Sequence, residues 1–507
     1  MKIPTVSELF EIILIKYRWV FVVLFLLPIS ILYTLYEAIS QRLSLHIKGS
    51  QKIHDSLVKD IQAQIHLRNK TEPQRKMCTG RPGWKAMSFR AGKYKETFWK
   101  IDLGKLVNIF AIDTDKNLIW VEPLVTMKQL TTALNPLHLT IPIVPELDDL
   151  TVSGLIMGMG VETQSHCYGL FQHCCVAYDV LLPTGELVRC SANENPDLYY
   201  AIPGSYGTLG FVVAVAIRLI PAKKYVKLRY IPFKQISNLD RLGNEMLKLA
   251  TESGHDFIEA IVYSLDNVVL ITGTMTDEYV LEKMNSIGYF WKPWFYKHVE
   301  EILQSNEIKE EYIPLQHYYH RHSRSIFWEL SEIVPFGNHP LFRYFFGWTL
   351  PIKISLLKRT QGKTIKKLYE KHHVLQDMIV PLSALKDSLV FFDAKTGIYP
   401  IWLCPIRLPS LPGMLRLQSG KEEMYVDIGV YGNVRVTSYQ AKKTTRELEC
   451  FVREHHGFQM LYADCYMTRE EFGKMFDHEL YEKMRRRYTC EEAFPEVYEK
   501  INICART

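Results

Sequence analysis

The stretch PELDDLTVSGLIMGMGVETQSHCYG, Pro145 to Gly169, sets Gly154, Gly158 and Gly160 among Leu155, Ile156, Met157 and Met159, with no charge from Thr151 to Val161. Glycine costs backbone entropy and gives a core nothing to pack. Such glycines between apolar residues need either sharp turns or another group pressed against the main chain. A P-loop is excluded, because no GxxxxGK[ST] occurs. A Rossmann fingerprint is poorly supported, because Gly158-Met159-Gly160 gives only GxG, with no third glycine at the required spacing.

With 507 residues the chain is expected to form two or three domains. Its 61 basic and 55 acidic residues leave a net charge of only +6, without the bias of a nucleic-acid binder, so no nucleic-acid partner is expected. The 10 cysteines include one adjacent pair, Cys174-Cys175, and no CxxC. Free thiols in a reducing compartment are the expectation. His317, His320 and His322 in HYYHRH lack an acid or cysteine at ligand spacing, so no metal is expected there.

Residues Trp19 to Ala38, WVFVVLFLLPISILYTLYEA, carry no charge before Glu37 and reach the length of a membrane-crossing helix, about 20 residues. Trp19, Tyr33 and Tyr36 suit the interfaces, and Pro28 is tolerated in such a helix. A cleaved signal peptide fits less well: the run starts late and lacks a small-x-small site after it. Flanking bases on both sides do not orient the span. The sequence therefore predicts residues 1–18 as a leading segment and one transmembrane helix over 19–38.

Beyond it, Ile53, Leu57, Ile61 and Ile65 predict an amphipathic helix. KMCTGRPGW ends in a glycine-proline turn. A helix is expected to open near Thr126, and CCVAYDVLLPTGELVRC reads as a hairpin turning at Pro183-Thr184-Gly185. GSYGTLGFVVAVAIRLIP is a glycine loop running into a long strand. YPIWLCPIRL and MYVDIGVYG are further strands, and Thr468 with Glu471 forms a capping-box pattern. The aromatic, basic stretches between 289 and 354 suit burial residue by residue, and collectively an apolar wall for a large flat substrate near a membrane.

The order CTGRPGW, TVSGLIMGMG, hairpin, GTLG resembles the FAD-binding domain of the vanillyl-alcohol-oxidase/p-cresol-methylhydroxylase (PCMH) superfamily. The resemblance implies an α+β fold, with a two-subdomain PCMH-type FAD-binding domain over 50–225. A second α+β substrate, or cap, domain would span 226–507, its C-terminal segment returning toward the flavin. Gly80 and Arg81 would lie in the pyrophosphate loop. Thr151, Val152, Ser153, Gly154, Leu155, Ile156, Met157, Gly158, Met159, Gly160, Val161, Glu162 and Thr163 would run beside the flavin, and Gly207 and Gly210 would lead into the last strand. Ser153 stands where the superfamily pattern has glycine. Physical reasoning agrees: glycine turns present N–H groups to phosphates without side-chain bulk. Some superfamily members tether FAD through a loop histidine. Here TGRPGW offers Trp84 instead, so non-covalent FAD is expected, with His166 and Cys167 the alternative tethers.

MCTGRPGW, VEPLVTM, PELDDLTVSGLIMG, YGLFQH, YIPLQHYYHRHSRSIFWEL and HGFQMLYADCYM, among other segments, closely resemble the delta(24)-sterol reductase family over almost the whole chain. That implies NADPH- and FAD-dependent reduction of the sterol side-chain C24–C25 double bond, as in desmosterol to cholesterol. It also implies an endoplasmic reticulum membrane setting with the catalytic part facing the cytosol. The alternatives are a superfamily flavin oxidase of an alcohol or lactone, or a non-catalytic membrane-anchored sterol-binding protein. An unactivated alkene needs a proton at C24 for hydride to reach C25. Tyr462 and Asp464 are the expected catalytic pair, placed with Tyr466 on one face of an alternating strand, and Asp427 is the next candidate.

Overall fold

The computed structural model describes the chain apart from residues 1–16, 34, 37–50, 87–91, 235–238, 253, 360–369, 416, 418 and 507. Helix Gln51–Thr71 buries His54, Val58, Ile61, Ile65 and Arg68, a stripe alternating in steps of four and three. A strict four-residue row drifts around a helix of about 3.6 residues per turn, so the buried face leaves Ile53 and Leu57 at its margin. Strand β1 (Met77–Thr79) pairs in parallel with β2 (Trp99–Ile101).

Strands β3 (Ile109–Asp113) and β4 (Leu118–Val121) begin a second sheet, and β5 (Leu139–Thr140) pairs apart from it with β9 (Ile220–Pro221). The sheet is completed by β6 (Cys175–Leu181), β7 (Leu187–Ser191) and β8 (Phe211–Arg218) in the order β3-β4-β8-β6-β7. Its β6–β7 hairpin closes at Gly185, which has φ +90°. The helix Met127–Leu134 opens at Thr126, whose hydroxyl and Gln129 form a reciprocal capping box.

From Tyr225 the chain builds one antiparallel sheet of eight strands. They are β10 (Tyr225–Lys234), β11 (Phe257–Ser264), β12 (Asn267–Thr276), β13 (Lys309–Pro314), β14 (His373–Pro381), β15 (Ile401–Leu408), β16 (Glu423–Asn433) and β17 (Phe458–Gln459). Their spatial order is β13-β10-β12-β11-β15-β16-β14-β17. Side chains alternate between the faces of a strand. One face holds Ile258, Ala260, Val268, Leu270, Met378, Leu403 and Ile428, packed under Leu242, Met246, Leu389, Phe392, Leu448 and Val452 of three helices. The register puts Tyr230, Glu259, Trp402, Asp427, Tyr431 and Asp377 on the opposite face, turned toward the glycine stretch.

Two outer segments wrap this body. The C-terminal helices return to the first half: Arg485 donates to the Thr208 carbonyl at 3.0 Å, Tyr481 bonds the Thr208 hydroxyl at 2.6 Å, and Phe494 packs edge-on against Phe211. At the other end, residues 18–33 are helical, with a π turn at Val22–Leu26. Val22, Leu26, Leu27 and Ser30 are buried against the protein; Trp19 meets Phe336 at 5.1 Å, and the Ser30 hydroxyl accepts from Lys353 N. Among the described residues, no helix is long and apolar enough to cross a membrane, and parts of the expected 19–38 span lie outside them.

Candidate cofactor and active site

The glycine stretch is a short helix, Val152–Gly158, begun from extended Thr151 and ended by Met159 in the left-handed conformation at φ 62°. The turn thus falls on Met159, whereas Gly154, Gly158 and Gly160 all avoid positive φ. Conformational need therefore does not explain these glycines. A Cβ at Gly160 would strike the Leu155 side chain at 2.7 Å, which is packing. Gly154 and Gly158 differ. Four residues apart, they share a helix face, and added Cβ atoms would meet only the Thr151 hydroxyl at 2.9 Å and Tyr462 Cβ at 3.9 Å. Leu155, Ile156 and Val152 anchor the helix in the core, while Ser153 and Met157 are half-buried. The helix leaves bare main chain beside open space, a cradle that side chains would fill.

The turn after β1 supplies charge. Gly80 N–H is committed to the Ile101 carbonyl at 2.6 Å. Arg81 reaches the Thr151 hydroxyl at 3.3 Å, tying the turn to the glycine helix. Lys95 donates to the Arg81 carbonyl at 2.7 Å, and Lys500, from the C-terminal helix Val497–Ile501, donates to the Tyr206 carbonyl. Among the described residues, neither Lys95 nor Lys500 has a carboxylate partner. Burial, then the Lys95 charge, pushes the Lys500 ammonium down to about 7. Two lysines without a carboxylate partner, next to Arg81 with Asp149 nearby, fit the diphosphate of FAD, which would supply the missing charge. Gly207, at φ +65°, would bring an added Cβ only to the Gly210 carbonyl at 3.7 Å, so this loop is also open. Gly210 is a packing glycine: a Cβ there would lie 2.7 Å from the Leu181 carbonyl.

Both ring nitrogens of His166 face carbonyls, Thr163 at 2.9 Å and His255 at 3.0 Å, and Cys167 is exposed. Val161, Glu162 and Thr163 are buried where the glycine stretch meets the large sheet. There Arg321, fully buried, bonds Glu162 at 2.8 Å and Glu259 on β11 through two nitrogens at 2.9 Å each, stacked 4.3 Å over the Tyr318 ring. Trp402 also donates to Glu259 at 2.9 Å. Burial alone would raise the Glu259 carboxyl, but Arg321 and His322 more than offset it and hold it at about 2. Glu146, beside Glu162, goes the other way: burial and the second carboxyl push it well above the ordinary range.

The HYYHRH histidines point to separate partners. His317 packs on Tyr289, His320 bridges Asp148 and Thr131 at 2.9 Å each, and His322 stacks on Phe327. The segment holds Arg321, the residue that links the two halves. Sequence pattern could not find it, because its partners lie 159 and 62 residues away.

No strand forms over Tyr462 to Tyr466, since the chain turns at Met460–Ala463 with a 3.2 Å bond. Burial still alternates there, which leaves Tyr462, Asp464 and Tyr466 partly accessible. Tyr462 donates to Asp377 of β14, beside the glycine helix. The main chain of Asp464 receives Gln376 at 3.1 Å, and that of Tyr466 receives Arg446 of helix Ala441–Glu454 at 2.8 Å. The structure thus joins Tyr462 to Asp377, a residue the sequence reading did not single out. Asp427 is buried on the same sheet face, two positions along β16 from Gly429, the residue opposite Asp377.

Comparison with known proteins agrees with this geometry. Residues 80–191 match the FAD binding domain family. The chain is 52% identical over 496 residues to the delta(24)-sterol reductase of Homo sapiens, covering 98% of this chain and 95% of the relative. It is 44% identical over 504 residues to a delta(24)-sterol reductase homolog of Caenorhabditis elegans, covering 97% and 95%. Against the delta(24)-sterol reductase of Arabidopsis thaliana the identity is 39% over 517 residues, covering 96% and 91%.

Proposed function

The chain belongs to the delta(24)-sterol reductase family, and from that premise we propose that it reduces the C24–C25 double bond of a sterol side chain, as in desmosterol to cholesterol, with NADPH as the electron source. It is an oxidoreductase with a FAD-binding domain. The observation that carries the reading is identity of 52% across 98% of the chain. The open cradle at Gly154 and Gly158 supports it.

Bound and reduced, FAD supplies a hydride to carbon. The rest of the work falls to the chain. Arg81, Lys95 and Lys500 hold the diphosphate, and the bare helix face at Gly154 and Gly158 admits the flat ring system. The buried sheet face excludes water and presents acids. An isolated alkene accepts hydride only as a proton arrives at C24, so the site needs a protonated group within reach of the side chain. The FAD is non-covalent in this reading, since His166 has both nitrogens occupied and Trp84 replaces a loop histidine. Acid precipitation should release all the flavin; flavin left on the denatured chain would show a tether.

We also place the protein on the endoplasmic reticulum membrane, anchored by its N-terminal segment, with the catalytic part facing the cytosol. The helical segment exposes Phe21, Leu24, Phe25, Ile29 and Leu32, and helix Pro340–Phe346 exposes Leu341, Tyr344 and Phe345. Trp19, Phe336 and Phe342 link the two by ring contacts of 5.1 and 5.4 Å. Apolar surface of this extent suits a bilayer and a substrate nearly insoluble in water.

One anaerobic experiment separates the readings. Purified protein should be yellow, bleach with NADPH, and recover its colour when desmosterol is added. Recovery only in air would make it an oxidase. A colourless protein that binds sterol would make it a carrier.

A further inference from the structure

Asp377, on the polar sheet face, bonds Tyr462, which stands beside the glycine helix. It lies mid-strand on β14, 7% exposed, opposite Gly429 of β16. The missing side chain at Gly429 makes its room: a Cβ there would sit 3.0 Å from the Asp377 carboxyl and 2.5 Å from the Tyr431 hydroxyl. Tyr431 donates to one carboxyl oxygen and Tyr462 to the other. Tyr462 is partly accessible and stands next to Gly158, whereas Asp377 is sealed behind it. Two phenols therefore bracket a single carboxyl, and only one of them opens toward the cradle.

We propose that Asp377 supplies the proton of the reduction through Tyr462. The assignment rests on the sterol-reductase reading above. With Asp377 protonated the bond runs the other way, the carboxyl donating to the Tyr462 oxygen and freeing the phenol O–H for C24; as the Tyr462 O–H bond breaks and the C24–H bond forms, the Asp377 O–H bond breaks and the phenol is restored. C25 takes the hydride, two electrons and a proton, that completes the alkane. Solvent later returns the proton to Asp377. Tyr462 touches the substrate; Asp377 is a positioning and proton-holding residue. Among the described residues, Asp377 forms no ion pair. The titratable groups facing it are Tyr431 and Asp427 from β16 and Tyr462 from the segment after β17, with Glu146 beside Tyr431 and Cys404 of β15 beside Asp427. Burial, countered only in part by the Tyr431 bond, pushes the Asp377 carboxyl up to about 7. Burial, and then the Asp377 charge, raise Asp427 well above the ordinary range.

The test uses full-length, FAD-loaded wild type, Asp377→Asn, Asp377→Glu and Tyr431→Phe. Asp377→Asn should keep its FAD and lose sterol reduction at least about 100-fold. The wild-type rate should fall as pH rises through about 7. Asp377→Glu should restore a rate whose falling limb is displaced, and Tyr431→Phe should displace the limb upward, because a bond favouring the charged form is gone. Infrared difference spectra between about pH 6 and about pH 8 should show, beside the band of buried Glu449, whose carboxyl is pushed up to about 8, a second buried carboxyl losing its proton in wild type and not in Asp377→Asn. Near-wild-type reduction by Asp377→Asn, or a carboxyl difference signal in it no smaller than that of wild type, overturns the proposal. Should Asp377→Asn fail to fold, an unmoved limb in both Asp377→Glu and Tyr431→Phe overturns it. Wild type unable to reduce desmosterol would instead sink the reading of the activity, and the infrared titration would still decide whether Asp377 holds the proton.

Discussion

Arg321 is a buried cation and Lys500 a half-buried one, both stripped of much of their water, and the chain treats them in opposite ways. Arg321 is enclosed by Glu162 and Glu259, and although burial favours its neutral form, those carboxylates hold its pKa above the ordinary value. Lys500 is set beside Lys95 with carbonyls for company, and its pKa drops to about 7. The same desolvation acts on each; what differs is whether the chain brought the counter-charge. A buried charge paired within the chain is architecture, here the join between the glycine stretch and the large sheet. Lys500, left without a carboxylate, is where the proposed site takes its counter-charge from outside the chain.

The contrast can be broken most severely at Arg321. Arg321→Met strands two buried carboxylates and should cost about 3–5 kcal/mol, read as a lowered urea midpoint. A loss under about 1 kcal/mol would mean the triad is not what joins the halves. Next comes Gly158→Asp. The backbone there is ordinary helix and the added Cβ meets only Tyr462 at 3.9 Å, so the fold should survive. Bulk and negative charge in the cradle should weaken FAD binding by at least about 100-fold, by flavin titration of the apoprotein. Normal flavin content in this variant would move the cofactor elsewhere.

Lys500→Met should weaken FAD by about tenfold while the apoprotein holds or gains stability, a split no paired cation would show. The sign in pH follows. The folded apoprotein gives up the Lys500 proton near 7, whereas the unfolded chain keeps it to the ordinary lysine value. Apoprotein stability should therefore rise with pH between those values. FAD restores the charge, so binding takes up a proton above pH 7 and weakens as pH rises, which calorimetry in two buffers will detect. The smallest effect sharpens the rule at its edge. Lys483 and Asp197 form a 2.7 Å pair with Lys483 60% exposed, and Lys483→Ala should cost under about 1 kcal/mol in the same urea titration.

Local features were legible in the sequence because their causes are local. The hairpin at Gly185, the strands Ile401–Leu408 and Glu423–Asn433, and the Thr468–Glu471 capping box all formed as the pattern demanded. The glycine stretch demands an explanation from sequence alone, but turn and close approach are parted only by the left-handed φ of Met159. The Tyr462 segment kept its two-residue burial rhythm while lacking the strand thought to cause it. Asp377 was invisible for a different reason. A lone acid in HVLQDMIVP reads as the solvent side of an alternating strand, and the phenols that bracket it arrive from 54 and 85 residues away.

The return of the C-terminal helices has a consequence in time. Lys500 meets the Tyr206 loop across 294 residues, and Arg485 meets Thr208 across 277. At a synthesis rate of about 5–20 residues per second, the first half waits roughly 15–60 s on the ribosome before those contacts can form. In the proposed site, the diphosphate end of the cradle lacks its last cation through that interval. On that reading full-strength cofactor capture follows synthesis of the large sheet, and a chain stopped short of residue 500 should carry an intact glycine helix that holds its flavin poorly.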